Sequence, residues 1–456
     1  MPFISRNPYT EEVAREYPAD TWDDIEARLA AARLAFLRWR ETTPAERARA
    51  LTSVAQALRD DLETYAQQIT LEMGKPIKQA RAEIEKCARG LEYFANNLDR
   101  MLQPIEVETE ADKSYIAFQP LGVILAIMPW NFPFWQVVRF AAPAIAAGNV
   151  VVVKPAPSTP TCALMLKDAF DQSESEEQLL FPLLAETEMI PEVIRHPAVA
   201  AVTFTGSTRA GREVARLAGE SLKKCVLELG GSDAALILHD ADLSRAVPQC
   251  IQGRYQNTGQ SCIAIKRFIV DSLVYDDFVE RFLEQSRALR MGDPRDEATD
   301  LGPLARADLR ENLHRQVQES VEMGAEVRLG GALPDGKGYF YPPTVLTNIA
   351  PMMPVWSEET FGPVAPIYPV NSRYEAVQVA NATRYGLGAS VFTENLRVGE
   401  DIACNRLEVG SAFVNHHVFS DPRLPFGGVR ESGFGRELSV FGLREFVNIK
   451  TVYIVE

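Results

Sequence analysis

Val150-Val151-Val152-Val153-Lys154-Pro155 sets four consecutive β-branched apolar residues before a charge and a proline. A run that is hydrophobic at every position predicts a strand buried on both faces, the condition of a parallel sheet covered by helices. Lys154 then emerges at the strand's carboxyl end, where open α/β sheets bind ligands. The pattern repeats at residues 123–128, 201–205 and 225–229, each run followed by a Gly/Pro/Asn turn and a helical stretch. A second series begins at 234–238 and continues through 268–270, 389–392 and 412–415. The expected fold class is therefore α/β with two parallel sheets. Neither a repeat nor a low-complexity linker separates the two series, so Gly230 and Gly231 between them read as a hinge rather than a tether.

The first hundred residues read as helices. Ile25, Leu29, Ala32, Phe36 and Trp39 recur at spacings of three and four behind the acidic start Asp23 and Asp24. A second helix opens at Thr43, with Pro44 in its first turn and Glu46 completing a capping box, and runs toward Gly74. A third covers roughly 77–102 between Pro76 and Pro104. At the far end, residues 450–455 and 114–118 read as strands with apolar character on both faces, able to form a small sheet that pairs across a subunit interface.

Composition narrows the function classes. The chain has 456 residues, 46% of them hydrophobic and 24% charged, which suits an ordinary globular protein of more than one structural unit. Its 62 acidic against 47 basic residues give a net charge of −15, which repels nucleic acid and anionic membrane surfaces. The six cysteines contain no CxxC pair and the five histidines show no ligand spacing with them, so reduced thiols and no metal site are expected. Residues 1–7 lack a leader pattern, and no apolar run reaches a membrane span, which makes the cytoplasm the expected location.

Several residues stand out chemically. Cys262 alone reads as a small buried hydrophobe. It follows the polar turn Asn257-Thr258-Gly259-Gln260-Ser261, however, where backbone N–H groups can face a thiolate. Glu228 lies at the end of a buried-type strand before two glycines, where desolvation raises a carboxyl toward neutrality as a general base requires. Asn131, in Pro129-Trp130-Asn131-Phe132-Pro133, serves either as an Asx turn or as an amide donor to an oxyanion. Residues 204–208, with Gly206, Ser207 and then Gly211, form a second Gly-containing strand-to-helix turn, which by itself is a weak phosphate-loop signal.

PWNFP, FTGS, ELGG, GQSC, EETFGPV and PFGG occur in the order and approximate spacing of the aldehyde dehydrogenase superfamily, which the whole chain resembles. Within it, the WQVVRFAAP, SCIAIKRFIV and SDPRLPFGG segments look most like bacterial-type succinate-semialdehyde dehydrogenases. The resemblance implies two Rossmann-like domains and an oligomerisation arm. Residues 1–103 and 122–229 would bind the cofactor, 230–429 would carry catalysis, and 104–121 with 430–456 would form the arm of a homodimer or homotetramer. It also implies NADP or NAD as cofactor and NAD(P)-dependent oxidation of an aldehyde to a carboxylic acid through a thioester on Cys262. Glu228 would be the base, and Asn131 with the Cys262 N–H the oxyanion donors. Cofactor contacts would come from Trp130, Lys154, Pro157, Ser158, Gly206, Ser207, Leu229, Glu359 and Phe361.

Two departures bear on the cofactor. Residues 171–188 are acidic and lack the usual Leu-Pro-Pro-Gly-Val loop, and Pro157 replaces the glutamate that many NAD-preferring members carry three positions after the lysine. Ala264 takes the place of a second cysteine that regulates some relatives. CoA-acylating relatives generally lack the glutamate found at 228, and a non-enzymatic descendant would tolerate loss of Cys262, so the retained residues favour hydrolysis. For the substrate the expectation is succinate semialdehyde, with Arg139 receiving its carboxylate bidentately beside Trp135 and Ser420. A salt bridge to an acid is the alternative role of Arg139, and Arg254 is a second candidate anchor.

Overall fold

Capping decides where the first helices begin. In the computed structural model, which describes residues 3–456, Thr21 accepts from the N–H of Asp24 and Thr43 from that of Glu46, while the two acids accept from the cap N–H groups in return. Met1 and Pro2, where the reading for a leader starts, lie outside the described residues. Trp22–Trp39 and Ile77–Leu102 form as expected. The second expected helix is instead two, Pro44–Asp60 and Leu62–Met73, broken at Asp61, where φ of −108° leaves the helical range. The bend lets both pieces lie against Ile77–Leu102. Gly74, at φ 73°, ends the second piece in the left-handed conformation.

The first sheet runs in the order Gly433–Phe434, Lys224–Glu228, Val199–Thr205, Val123–Ile127, Val150–Lys154, Leu180–Pro182. Its neighbours are parallel, except that Gly433–Phe434 is antiparallel to Lys224–Glu228. That edge strand falls in the segment expected to belong wholly to the arm. It joins the sheet because Gly433, at φ 110°, comes so close that a Cβ there would meet the Leu227 carbonyl oxygen at 2.0 Å. The opposite edge, Leu180–Pro182, comes from the acidic stretch.

The second sheet has the order Glu326–Leu329, Thr344–Thr347, Val364–Val370, Ile265–Asp271, Asp233–Ile237, Gly388–Phe392, Ser411–Val414, with only the first pair antiparallel. Between the two sheets the chain passes Gly230 and Gly231 in a tight crossing. A Cβ on Gly230 would lie 2.4 Å from Glu359 Oε2, and its carbonyl accepts from Ser432 Oγ at 2.7 Å. These glycines allow close approach rather than swing. Val447–Ile454, Lys113–Pro120 and Ile105–Glu106 form a third, antiparallel sheet within the chain. No helix of the described residues is long and apolar enough to cross a membrane.

Two buried carboxylates from the helical layer cap helices of the first sheet. Glu83 Oε1 accepts from the N–H groups of Phe134 and Trp135, both at 3.0 Å, while its other oxygen pairs with Lys75. Glu72 does the same for Thr161 and Cys162. Glu83→Ala would strip two N–H groups of their acceptor and leave the Lys75 ammonium buried without a counter-ion, at a cost of about 3–5 kcal/mol. A lowered urea midpoint is expected. A midpoint equal to that of the wild type would show the cap to be dispensable.

Candidate active site

Cys262 is reached through three successive left-handed residues, Asn257, Thr258 and Gly259, at φ of 56°, 53° and 75°. Left-handed non-glycine residues cost free energy and persist only where the surroundings hold them. Here Asn257 Nδ2 donates to the carbonyls of Asn131 at 2.9 Å and Gln260 at 3.0 Å. Arg254, fully buried, donates to the carbonyls of Gly259, Gly362 and Ile265. That corrects its standing as a candidate substrate anchor, since its donors hold backbone. Gly259 must be glycine, because a Cβ would lie 2.4 Å from the Gly362 carbonyl oxygen.

The half-buried Cys262 thiol is pushed up to about 12 by burial, with Arg139 and Lys266 pulling it down and Glu228 and Glu359 raising it. Asn131 is 4% exposed and donates one amide hydrogen to the Gln260 carbonyl at 3.1 Å, leaving the other uncommitted. The Cys262 N–H has no acceptor among the described residues. Lys266 was not anticipated. Its ammonium donates to the carbonyls of Ser261 at 2.9 Å and Cys262 at 2.6 Å and stands 3.5 Å from Glu359, tying GQSC to EETFGPV. The available signal was a pair of cations, Lys266 and Arg267, inside an otherwise apolar run.

Glu228 ends its strand at 1% exposure, and neither carboxylate oxygen has a hydrogen-bond partner. Burial first and the nearby Glu437 second raise it, Arg139 and Arg436 oppose, and the balance leaves it at about 8. PFGG explains itself here. A Cβ on Gly427 would sit 2.8 Å from Glu228 Oε1, and the Arg139 guanidinium lies 4.5 Å from the centre of the Phe426 ring.

Arg139 is 2% exposed and ion-paired with the equally buried Glu437, while its Nη2 has no hydrogen-bond partner. The salt-bridge alternative is what the structure contains, with Glu437 almost three hundred residues away in sequence. Ser420 Oγ accepts from Lys86 Nζ at 2.7 Å and from Trp135 Nε1 at 3.1 Å, which brings two of the expected substrate residues together with a lysine that the sequence did not single out.

The expected cofactor residues line the carboxyl edge of the first sheet. Ser207 caps the helix Thr208–Glu220, whose first N–H groups offer a site for a phosphate. Gly206 packs on Phe204, and Gly211 on Leu229, whose methyl a Cβ would meet at 2.3 Å. Trp130 and Phe361 meet edge to face at 5.7 Å. Glu359 accepts from Gly231 N–H at 3.0 Å. Lys154 is held down to about 8 by burial, with Glu188 from the acidic stretch supporting its charge. Pro157 is exposed, and the Ser158 hydroxyl has no partner although buried. This set suits a dinucleotide: a helix start for phosphate, a cation and an orphan hydroxyl toward a ribose, and a carboxylate to accept from a ribose diol. Among the described residues no group of three metal-ligating side chains is assembled.

The chain is similar throughout to proteins of known name. It is 46% identical over 461 residues to succinate-semialdehyde dehydrogenase [NADP(+)] 1 of Mycobacterium tuberculosis (strain ATCC 25618 / H37Rv), covering 100% of both chains. It is 47% identical over 450 residues to succinate semialdehyde dehydrogenase [NAD(P)+] Sad of Escherichia coli (strain K12), covering 99% of this chain and 97% of that one. The crystal structure of succinic semialdehyde dehydrogenase from Streptococcus pyogenes in complex with NADP+ superposes with a TM-score of 0.97 at 37% identity, covering 100% of each chain. The model of the aldehyde dehydrogenase family matches residues 2–452, and with the thiol, the unpaired carboxylate and the dinucleotide edge all in place, the chain belongs to that family.

Proposed function

We propose that this protein oxidises succinate semialdehyde to succinate with NADP or NAD through a thioester on Cys262. The observation that carries the reading is a buried carboxylate without a partner, Glu228, within electrostatic reach of the Cys262 thiol. With it go a Cys262 N–H that has no acceptor among the described residues and an Asn131 amide that holds the Gln260 carbonyl two residues before the thiol and keeps one hydrogen uncommitted. The names of the similar Mycobacterium and Escherichia proteins support the substrate and both cofactors.

In the first step the Cys262 thiol loses its proton to Glu228 and its sulfur bonds to the aldehyde carbon. Asn131 Nδ2 and the Cys262 N–H donate to the oxygen that becomes negative. Lys154, Ser158, Ser207, Glu359 and Phe361 hold the dinucleotide, which when bound supplies the acceptor for the aldehyde's hydride. Once Glu228 has released that first proton to bulk water, its carboxylate takes a proton from a second water, whose oxygen adds to the acyl carbon and expels the thiolate. The carboxylate is suited to both transfers because burial has moved it near neutrality. The exposed apolar residues Ile105, Ile449, Tyr453 and Ile454 on the third sheet support its use as the arm of a homodimer or homotetramer. The acidic charge and the absence of a spanning helix among the described residues support a cytoplasmic location.

Cys262→Ala should abolish turnover while nucleotide fluorescence titration still records binding, because the thiol makes the covalent bond but holds no part of the dinucleotide. Turnover within tenfold of the wild type would sink the mechanism. Glu228 must be ionised to act, so a carboxyl raised to about 8 predicts that kcat climbs as pH rises through that value and falls on acidification. Glu228→Gln should erase this limb and enlarge the burst of reduced cofactor relative to the steady rate. Survival of the limb in the variant would assign it to another group. With no carboxylate at 157 to repel a 2′-phosphate, NADP should be accepted at least as well as NAD. Pro157→Glu should shift the ratio of kcat/KM toward NAD by about five- to tenfold, since like charges about 4 Å apart repel by about 1 kcal/mol even at the dielectric constant of water. A hundredfold wild-type preference for NAD would overturn that inference.

A further inference from the structure

Lys266 sits in the strand Ile265–Asp271, every residue of which is buried, and its own side chain is fully enclosed. Burying an ammonium is costly unless its hydrogens find acceptors. Three oxygens stand around it: the carbonyls of Ser261 at 2.9 Å and Cys262 at 2.6 Å, and Glu359 Oε1 at 3.5 Å. A neutral amine would turn its lone pair toward one of these oxygens, so the set selects the charged form. Burial opposes that charge and Arg254 adds to the opposition, while Glu359, Asp233 and Cys262 support it.

The two carbonyls belong to the peptide units on either side of the Cys262 α-carbon, so one ammonium fixes the orientation of both. The first unit matters most. In a trans peptide the C=O and the N–H point in opposite directions, and the unit whose oxygen faces Lys266 therefore aims the Cys262 N–H away from it. That N–H has no acceptor among the described residues. The Ser261 carbonyl also accepts from Ala264 N–H at 3.2 Å, which loads the same oxygen a second time. Hydrogen bonds accepted at a carbonyl polarise its peptide unit and make the N–H a stronger donor, the more so when they come from a charge and water is excluded. Glu359, by contrast, has Gly231 N–H at 3.0 Å as a second partner, so its placement does not depend on Lys266 alone.

We propose that Lys266 is a positioning residue for the oxyanion: from behind the peptide it aims the Cys262 N–H through the carbonyls it holds, and its charge strengthens that N–H as a donor. The proposal rests on the reading that this N–H and Asn131 Nδ2 receive the aldehyde oxygen.

Stopped-flow absorbance of reduced cofactor, with enzyme in excess over succinate semialdehyde and NADP saturating, reads the acylation rate constant. It is measured in the wild type, Lys266→Met, Lys266→Gln and Asn131→Ala, with NADP dissociation constants from fluorescence and thermal melting of each. Losing a whole oxyanion donor costs roughly a hundred- to a thousandfold, so Lys266→Met, which keeps the donor and removes its support, should slow acylation roughly ten- to a hundredfold and leave NADP affinity within about threefold. Lys266→Gln, whose amide can donate but brings no charge, should fall between Lys266→Met and the wild type, and it carries the test if Lys266→Met does not fold. In a Glu228→Gln background, where the acyl-enzyme persists, adding Lys266→Met should move the infrared band of the thioester carbonyl to higher wavenumber, a shift that follows donor strength and not general stability. An unmoved band overturns the polarisation. Wild-type acylation in the Lys266 variants while Asn131→Ala is slowed overturns the role of Lys266 and leaves the oxyanion reading intact. Weakened NADP affinity with unchanged acylation overturns it too and makes Lys266 a partner of Glu359 only. Asn131→Ala acylating at the wild-type rate overturns the oxyanion reading itself, and the proposal with it.

Discussion

The first four backbone N–H groups of a helix have no partner inside it, and a helix that starts next to a buried sheet must find acceptors elsewhere. Here they come from a different layer. Glu83 and Glu72 reach from the helices before the sheet to the N–H groups that open the helices after Asn131 and after Ser158. Each carboxylate thereby fixes a strand-to-helix turn that carries functional residues. Lys75 answers the charge of Glu83 and also lies 3.8 Å from the centre of the Phe132 ring, next in sequence to Asn131. The helical layer is therefore part of the site's geometry, although it supplies none of the reacting atoms.

Charge at the reaction centre is arranged as an imbalance. Burial pushes both Glu228 and Glu437 upward, Glu437 adds to the shift of Glu228, and the Arg139 guanidinium between them opposes both shifts. Around the thiol the balance differs. Lys266 gives its donors to the carbonyls of Ser261 and Cys262, which fixes the backbone without pairing with the sulfur. The Cys262 thiol accordingly rests protonated, within electrostatic reach of a carboxyl that burial has moved near neutrality.

Much of this was legible in the chain. Strands such as Val150–Lys154 are buried on both faces, and their continuous hydrophobicity says so. Val364–Val370 lies inside the second sheet yet carries Pro366 and Pro369, residues whose presence argues in sequence against an interior strand. Glu228, Asn131 and Cys262 were marked by local anomalies, a charge or amide at a strand end and a thiol after a polar turn. The partnership of Arg139 with Glu437 leaves no local trace, because it joins a helix near residue 139 to a loop at the other end of the chain. Lys86 looks in sequence like one more solvated charge on an amphipathic helix, and only the packing of Trp135 and Ser420 around it distinguishes it.

The three left-handed residues before Cys262 have an evolutionary consequence. They locate the sulfur through the main chain, whereas a cavity beside Trp135 is walled by side chains from other segments. The thiol's position and the cavity's lining can therefore vary separately. A side chain of that wall can be exchanged one residue at a time, while a change at Gly259, with no space beside the Gly362 carbonyl, displaces the backbone that carries the thiol.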